Sequence, residues 1–371
     1  MKKKIWMMLL CGALVCFPLG GCGINRADVD AGSVQSEAAS DHKTTKNSNA
    51  EYTSEVFAMD TYMTLTAYGE NAKEAVEAGI AEIQRLDALL STGDANSEVA
   101  QINQNGGGTL SEDTDYLVKR ALAIYQSTQG AFDISIYPVM QLWGFTTGDF
   151  AVPSKEDLAA KLALVNAGRI SLTEDNGVSS ITLPEGMEID LGGIAKGYTS
   201  GRVMEVMKRY GIESAVINLG GNAHVLGSKP DDSAWKVGIQ DPNDTNGYLG
   251  GVSVRDKAII TSGGYERYFV DEATGVKYHH IIDPKTGYSA NNGLISVTIV
   301  SADSTLADGL STSLFVLGTE DAIAYCEEHC AEDGFDAIME DEDGKLYITD
   351  GIMDDFINMN NTANIQEIKT K

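Results

Sequence analysis

Asp308 and Thr312 stand four residues apart in Ala307-Asp308-Gly309-Leu310-Ser311-Thr312. On a helix that spacing puts a carboxylate and a hydroxyl on one face. With a backbone carbonyl from elsewhere they make a hard oxygen set suited to magnesium. A solvated helix face is the plainer reading. Leu306, Leu310, Leu314 and Phe315 nevertheless mark the helix as largely buried, and a buried aspartate needs a partner. A second stretch, Ile189-Asp190-Leu191-Gly192-Gly193-Ile194-Ala195-Lys196-Gly197, reads as a buried strand, a double glycine and a helix start. Glycines admit a ligand close to the backbone, and a helix N-terminus favours an anion. Lys196 could reach a phosphate. The Lys-Gly order is not that of a Walker loop, and a plain turn fits this stretch equally well. Asn218-Leu219-Gly220-Gly221-Asn222 repeats the strand-to-double-glycine pattern and is weak by itself.

The remaining chemistry lies in Thr261-Ser262-Gly263-Gly264-Tyr265-Glu266-Arg267-Tyr268 and in Tyr278-His279-His280-Ile281-Ile282-Asp283-Pro284-Lys285-Thr286-Gly287. A histidine just ahead of an Asp-Pro turn can be held in one orientation and act as a base. A capped turn, its imidazole merely satisfying backbone groups, is the structural alternative. Adjacent residues of a strand point to opposite faces, so at most one of His279 and His280 serves a site.

These groups need elements to position them. Residues 56–68 alternate as a strand, with Met59-Asp60-Thr61 in its middle. Residues 72–90 carry apolar side chains at helical spacing. Helices are expected at 115–128, from Pro153-Ser154 onward, at 198–210 up to Gly211, and at 304–317. Strands are expected at 170–172, 180–183, 187–191, 215–219, 235–239, 250–254, 258–261, 268–270 and 294–300, with a strand–turn–strand near 337–348. Helices and strands do not strictly alternate, so the fold class is α+β, mixed sheets and helices around a central cleft.

The N-terminus reads as an export signal. Lys2, Lys3 and Lys4 precede an apolar run too short to span a bilayer comfortably, which ends in Leu19-Gly20-Gly21-Cys22. Small residues before a cysteine suit a lipoprotein signal peptidase, leaving Cys22 lipidated. An ordinary secretory signal and an uncleaved anchor are the alternatives. Residues 22–50 are polar and read as a tether. Residues 51–371 form the globular body. The net charge of −27 disfavours nucleic acid and an anionic lipid surface as partners. Any phosphate substrate needs a cation or local lysine to offset that field. Cys326 and Cys330, four apart with His329 between them, read as partly buried helix cysteines; they offer too few ligands for a metal site.

Taken together, the chain resembles the ApbE family, the FAD:protein FMN transferases. The resemblance rests on Met59-Asp60-Thr61, Gly130-Ala131-Phe132-Asp133 with Leu142-Trp143-Gly144-Phe145, Asp190 to Gly197, Thr261 to Tyr268, His280 to Gly287, and Asp308 to Gly318. These run in family order through nearly the whole body. The resemblance implies that Met59, Ala131, Phe132, Asp133, Asp190, Lys196 and Ile282 contact FAD. It implies that Gly193, Asp308 and Thr312 hold Mg2+, and that His280 is the base. Two departures stand out. Ser311 occupies a position where relatives often carry aspartate, and Leu90-Ser91-Thr92 is followed by Gly93 rather than tyrosine.

The implied reaction splits the FAD pyrophosphate, releases AMP and links FMN to a threonine. Partners expected from the resemblance are FAD and an acceptor protein, such as a membrane redox-complex subunit or an extracellular FMN-binding domain. The expected location is the extracytoplasmic membrane face. Two rivals share much of the pattern. A magnesium-dependent FAD pyrophosphatase would use the same site with water as acceptor. A flavin- or solute-binding lipoprotein would share the anchor and tether but not need the site chemistry.

Overall fold

Alternating apolar residues build the framework, and helical apolar stripes cover it. The computed structural model describes residues 50–244, 246–359 and 364–371. The expected leader, Cys22 and nearly all of the tether lie outside the described residues. The strands of the first half are β1 (Glu51–Ala58), β2 (Thr61–Tyr68), β3 (Gly107–Thr109), β4 (Ser171–Asp175), β5 (Val178–Thr182), β6 (Ser214–Leu219) and β7 (Asn222–Leu226). Those of the second half are β8 (Trp235–Gln240), β9 (Tyr248–Val254), β10 (Ala258–Gly263), β11 (Tyr268–Val270), β12 (Lys277–His279), β13 (Leu294–Ser301), β14 (Phe335–Asp341), β15 (Leu346–Thr349), β16 (Phe356–Ile357) and β17 (Ile365–Ile368). The helices are α1 (Ala72–Leu90), α2 (Glu98–Asn105), α3 (Glu112–Ser127), α4 (Tyr137–Trp143), α5 (Lys155–Leu162), α6 (Gly192–Arg209), α7 (Ser304–Leu317) and α8 (Thr319–Asp333).

Nine strands form the main sheet, in the order β1-β2-β6-β7-β10-β13-β14-β15-β17. Only the β15–β17 pair in it is parallel. One face is covered by helices. Met63 and Leu65 of β2 and Ile217 and Leu219 of β6 share a buried cluster with Val76 and Ile83 of α1 and Met207 of α6. Farther along, Ile260, Val297, Ile299 and Met339 meet Leu310, Leu314 and Phe315 of α7. The alternate residues Val216, Val225, Ile259 and Val300 face the other way, against Trp235, Val237 and Val252 of a small sheet, β16-β9-β8. The architecture is the expected α+β mixture.

Three local expectations need correcting. The single strand at 56–68 is a hairpin, because Met59 (φ 48°) and Asp60 (φ 59°) form a tight left-handed turn between β1 and β2. The expected strand at 187–191 is not regular structure, although Met187, Ile189 and Leu191 are buried. Its backbone is claimed elsewhere: Asn103 bonds both the N–H and the carbonyl of Ile189, and Asp190 N–H donates to the Ile134 carbonyl. Finally, α6 starts at Gly192 rather than Tyr198, so the double glycine is the helix's first turn. Cys326 and Cys330 are free thiols, both fully buried in α8.

Candidate active site

The site forms where α6 and α7 touch. A Cβ on Gly197 would stand 2.1 Å from the Ser304 carbonyl oxygen and 2.5 Å from Asp308 Cβ. Only glycine permits this approach. It allows the Gly197 N–H to donate to Asp308 Oδ2 at 2.7 Å. Behind that contact, the hydroxyls of Ser200 and Ser304 both donate to the Gly197 carbonyl, at 2.8 and 2.7 Å. The other Asp308 oxygen is held by β7, where Asn222 Nδ2 donates to Oδ1 at 3.2 Å. Asn222 follows the β6–β7 turn, whose Gly220 (φ 64°) lies against the side chain of Thr61. That contact draws the β1–β2 turn, with Met59 and Asp60, to the same end of the sheet.

Asp308 is 5% exposed. Burial pushes its carboxyl upward, while the Lys196 charge and the two donors pull it down. Each carboxylate oxygen keeps a lone pair beyond the bond it accepts. Gly193 belongs to the first turn of α6, and its helical register partner is the Gly197 N–H that Asp308 also claims. Thr312 Oγ1 lies 3.3 Å from Ser262 Oγ. Ser311 is fully buried, donates to the Asp308 carbonyl at 2.9 Å and lies 2.8 Å from Ser262 Oγ, so its hydroxyl is part of the wall. No group of three or more His, Cys, Asp or Glu side chains suited to a metal occurs among the described residues. Asp308 and Thr312, four apart on α7, and the Gly193 carbonyl in the first turn of the adjoining α6 are hard oxygen donors that include one carboxylate. Such a set fits magnesium, which keeps waters and shares substrate phosphates rather than filling an all-protein cage.

His280 continues the β11–β12 ladder. Its N–H bonds the Arg267 carbonyl at 3.0 Å, and its Nδ1 lies 3.2 Å from the same oxygen. A carbonyl only accepts, so Nδ1 carries the hydrogen and Nε2 keeps its lone pair. Burial first, then the Arg267 and Lys196 charges, lowers this imidazole to about 3, leaving it neutral. His279 turns the other way, with Nε2 2.9 Å from the Ala290 carbonyl and its ring edge-on to Phe315. One histidine faces the cleft and one the core, as the strand alternation requires.

Glu266 joins this group. It is reached by water but closely walled by protein, and burial with repulsion from Asp308 raises it to about 7 against the pull of Lys196 and Arg267. Asp190 accepts from Gly192 N–H at 2.8 Å and feels Arg267 and Asp60. Burial raises its carboxyl. Lys196 thus acts electrostatically on Asp308, Glu266 and His280, and Arg267 on Glu266, His280 and Asp190, which gathers these groups around two cations.

The remaining expected FAD contacts sit at the cleft's margin or behind it. Met59 is half-buried, and the Thr199 hydroxyl donates to its sulfur at 3.7 Å. Ala131 and Phe132 are buried, and Phe132 packs against Gly193. The Asp133 carboxylate faces inward, accepting from Ser135 N–H and Oγ at 2.8 and 2.6 Å and from Ala167 N–H at 3.1 Å. Its side chain fastens the turn, and its carbonyl accepts from Ile136 N–H at 3.2 Å. Ile282 is buried in a cluster with Trp143, Phe145 and Leu158. A pocket of about 590 Å³ adjoins Ala131, Asp283, Lys285 and Asn292, away from Asp308 and His280. Sequence reasoning quoted Asn222, Ser262, Glu266 and Arg267 but gave them no role. Nothing in residue type alone says which polar group of a glycine-rich turn points inward.

Against known proteins, the ApbE family model matches residues 59–339. The chain belongs to the ApbE family. Among ApbE relatives, the FAD:protein FMN transferase of Treponema pallidum is 33% identical over 82% of this chain and 88% of its own length. That of Klebsiella pneumoniae is 38% identical over 65% of this chain and 75% of its own. The crystal structure of the ApbE protein from Thermotoga maritima superposes with a TM-score of 0.75 at 32% identity, covering 81% of this chain and 98% of that one. The flavin transferase ApbE of Vibrio cholerae gives 0.70 at 29% identity, over 81% and 97%.

Proposed function

We propose that this ApbE-family protein transfers FMN from FAD to a threonine hydroxyl of an acceptor flavoprotein, forming a phosphoester and releasing AMP. The observation that carries this reading is one cleft holding a cation (Lys196), a hard oxygen set (Asp308, Thr312, Gly193) and a neutral imidazole with Nε2 free. His280 Nε2 takes the threonine proton. The threonine oxygen bonds to the FMN phosphorus as the bridging P–O bond to AMP breaks, and AMP leaves with that electron pair. Lys196 places positive charge where the pyrophosphate sits. Asp308, Thr312 and the Gly193 carbonyl are the residues that would hold Mg2+, which when bound neutralises charge on the phosphoryl oxygens. A bound diphosphate offsets Arg267 and Lys196 and raises the imidazole toward a useful value.

The proposal extends to location. Lys2–Lys4, the apolar run and Leu19-Gly20-Gly21-Cys22 support a lipid anchor at Cys22 on the extracytoplasmic membrane face, where membrane redox-complex subunits or extracellular FMN-binding domains would be the acceptors. The test follows AMP and the intact mass of an acceptor domain together, using residues 51–371 with FAD and magnesium. Equimolar AMP and FMN-bearing acceptor is the expected result. AMP with free FMN and an unchanged acceptor means that water, not threonine, is the acceptor.

A further inference from the structure

The transferase reading requires a second, macromolecular substrate to reach His280. The hairpin that carries His280 has an unused edge. At the two ends of the β11–β12 pair, His280 N–H donates to the Arg267 carbonyl at 3.0 Å and Asp271 N–H to the Val276 carbonyl at 2.9 Å. Register then places Tyr268 opposite His279 and Val270 opposite Lys277 as non-hydrogen-bonded pairs. His279 confirms the phase, since its N–H and carbonyl turn outward to Ser289 Oγ at 2.9 and 2.6 Å. The N–H and carbonyl groups of Tyr268 and Val270 therefore point away from β12. Among the described residues no backbone partner meets them. Their side chains are 48% and 50% exposed. On the opposite face of the ribbon Phe150, 44% exposed, stacks on Phe269 at 5.1 Å and 11°. An open strand edge with apolar side chains is a template for another chain, and proteins usually blunt such edges. This one is left open in the two-stranded sheet that continues into the base.

Resting on the transferase reading, we propose that the outer edge of β11 binds an extended segment of the acceptor protein as a third strand and so delivers its threonine to His280. Outward backbone groups recognise peptide, and Tyr268, Val270 and Phe150 supply apolar contact. The geometry limits where the threonine lies. A strand added to β11 runs about 10 Å from β12, two strand spacings away, and a chain advances about 3.3 Å per residue. A segment leaving the edge at the Arg267 end crosses that gap in about three residues.

Proline tests the edge cleanly. Val270→Pro deletes an N–H that points to solvent and leaves the β11–β12 bonds in place, a position where strands tolerate proline. The probe is an acceptor flavoprotein domain that the wild-type enzyme has been seen to load with FMN. Val270→Pro and Tyr268→Ala should each raise the KM for that domain at least tenfold, with FAD affinity and kcat at saturating acceptor unchanged. Phe57→Ala, on the open edge of β1, should change nothing. Hydrogen exchange should slow at Tyr268 and Val270 when the domain is added. An unchanged KM in both β11 variants, or protection at β1 instead, would overturn the proposal. So would a β11 variant that splits a homodimer and leaves KM alone, since the edge would then belong to a second copy. A wild-type enzyme that loads no acceptor would instead contradict the transferase reading itself.

Discussion

His280 and Glu266 sit in one cleft yet are displaced in opposite directions, one to about 3 and the other to about 7. Burial is the first cause of both, since it disfavours a charge of either sign. For His280 the nearby cations add to burial; for Glu266 they oppose it. The consequence is a pH dependence with a definite sign. Below about pH 7 Glu266 is neutral, and above it Glu266 adds a negative charge near Lys196, the cation proposed to meet the diphosphate. Without magnesium, FAD affinity should therefore fall as pH rises from 6 to 8 and stay flat in Glu266→Gln. A titration of FAD fluorescence at several pH values reads this. The same slope in the variant would assign the titration to another group. At this scale the sequence was informative about His280, Asp308 and Lys196, whose types announce their chemistry. It was silent on Asn222, an ordinary amide whose role comes from the 3.2 Å contact to Asp308 across elements 86 residues apart. Asp133, which the family resemblance counts among the FAD contacts as part of its turn, spends both carboxylate oxygens on Ser135 and Ala167.

Among the elements, the crossing of α6 and α7 makes the site. Gly197→Ala would put a methyl group inside the Ser304 carbonyl, and the helices would have to part. Overpacking of this kind costs about 1–3 kcal/mol, and the separation would also pull Gly197 N–H from Asp308. Thermal unfolding should show the lower stability, and transfer should fall by more than the unfolded fraction explains. A variant with wild-type stability and rate would contradict the close packing. The helix α7 was legible to the residue, because its apolar stripe is long and its N-cap Asp303 accepts from Leu306 N–H. The start of α6 was hidden, since Gly192 and Gly193 look like a loop until Leu191 and the packing against Phe132 fix them as helix. The β1–β2 turn was hidden for a related reason. Met59 in a left-handed conformation carries no turn signature, and the alternation reads straight through it.

Across the whole molecule, the acidic body and the proposed lipid anchor constrain how substrates arrive. With a net charge of −27, the body repels an anionic substrate such as FAD at long range, and Lys196 and Arg267 attract it locally. Cys22→Ala should shift the protein from the membrane fraction to the soluble extracytoplasmic fraction and remove the lipid mass. Retention with unchanged mass would contradict the anchor. The fold class was readable from the mixed pattern of elements, whereas the sheet order, in which β6 and β7 join the N-terminal hairpin to β10, depends on long-range pairing that no local pattern encodes. The central claim is that His280 is the base in a cleft otherwise built to hold FAD. Its most direct test measures FAD binding and FMN transfer side by side in His280→Ala. Binding should stay within about twofold of wild type, while transfer falls between about 100-fold and 10,000-fold, the usual share of a general base. Transfer at the wild-type rate in His280→Ala would contradict the account.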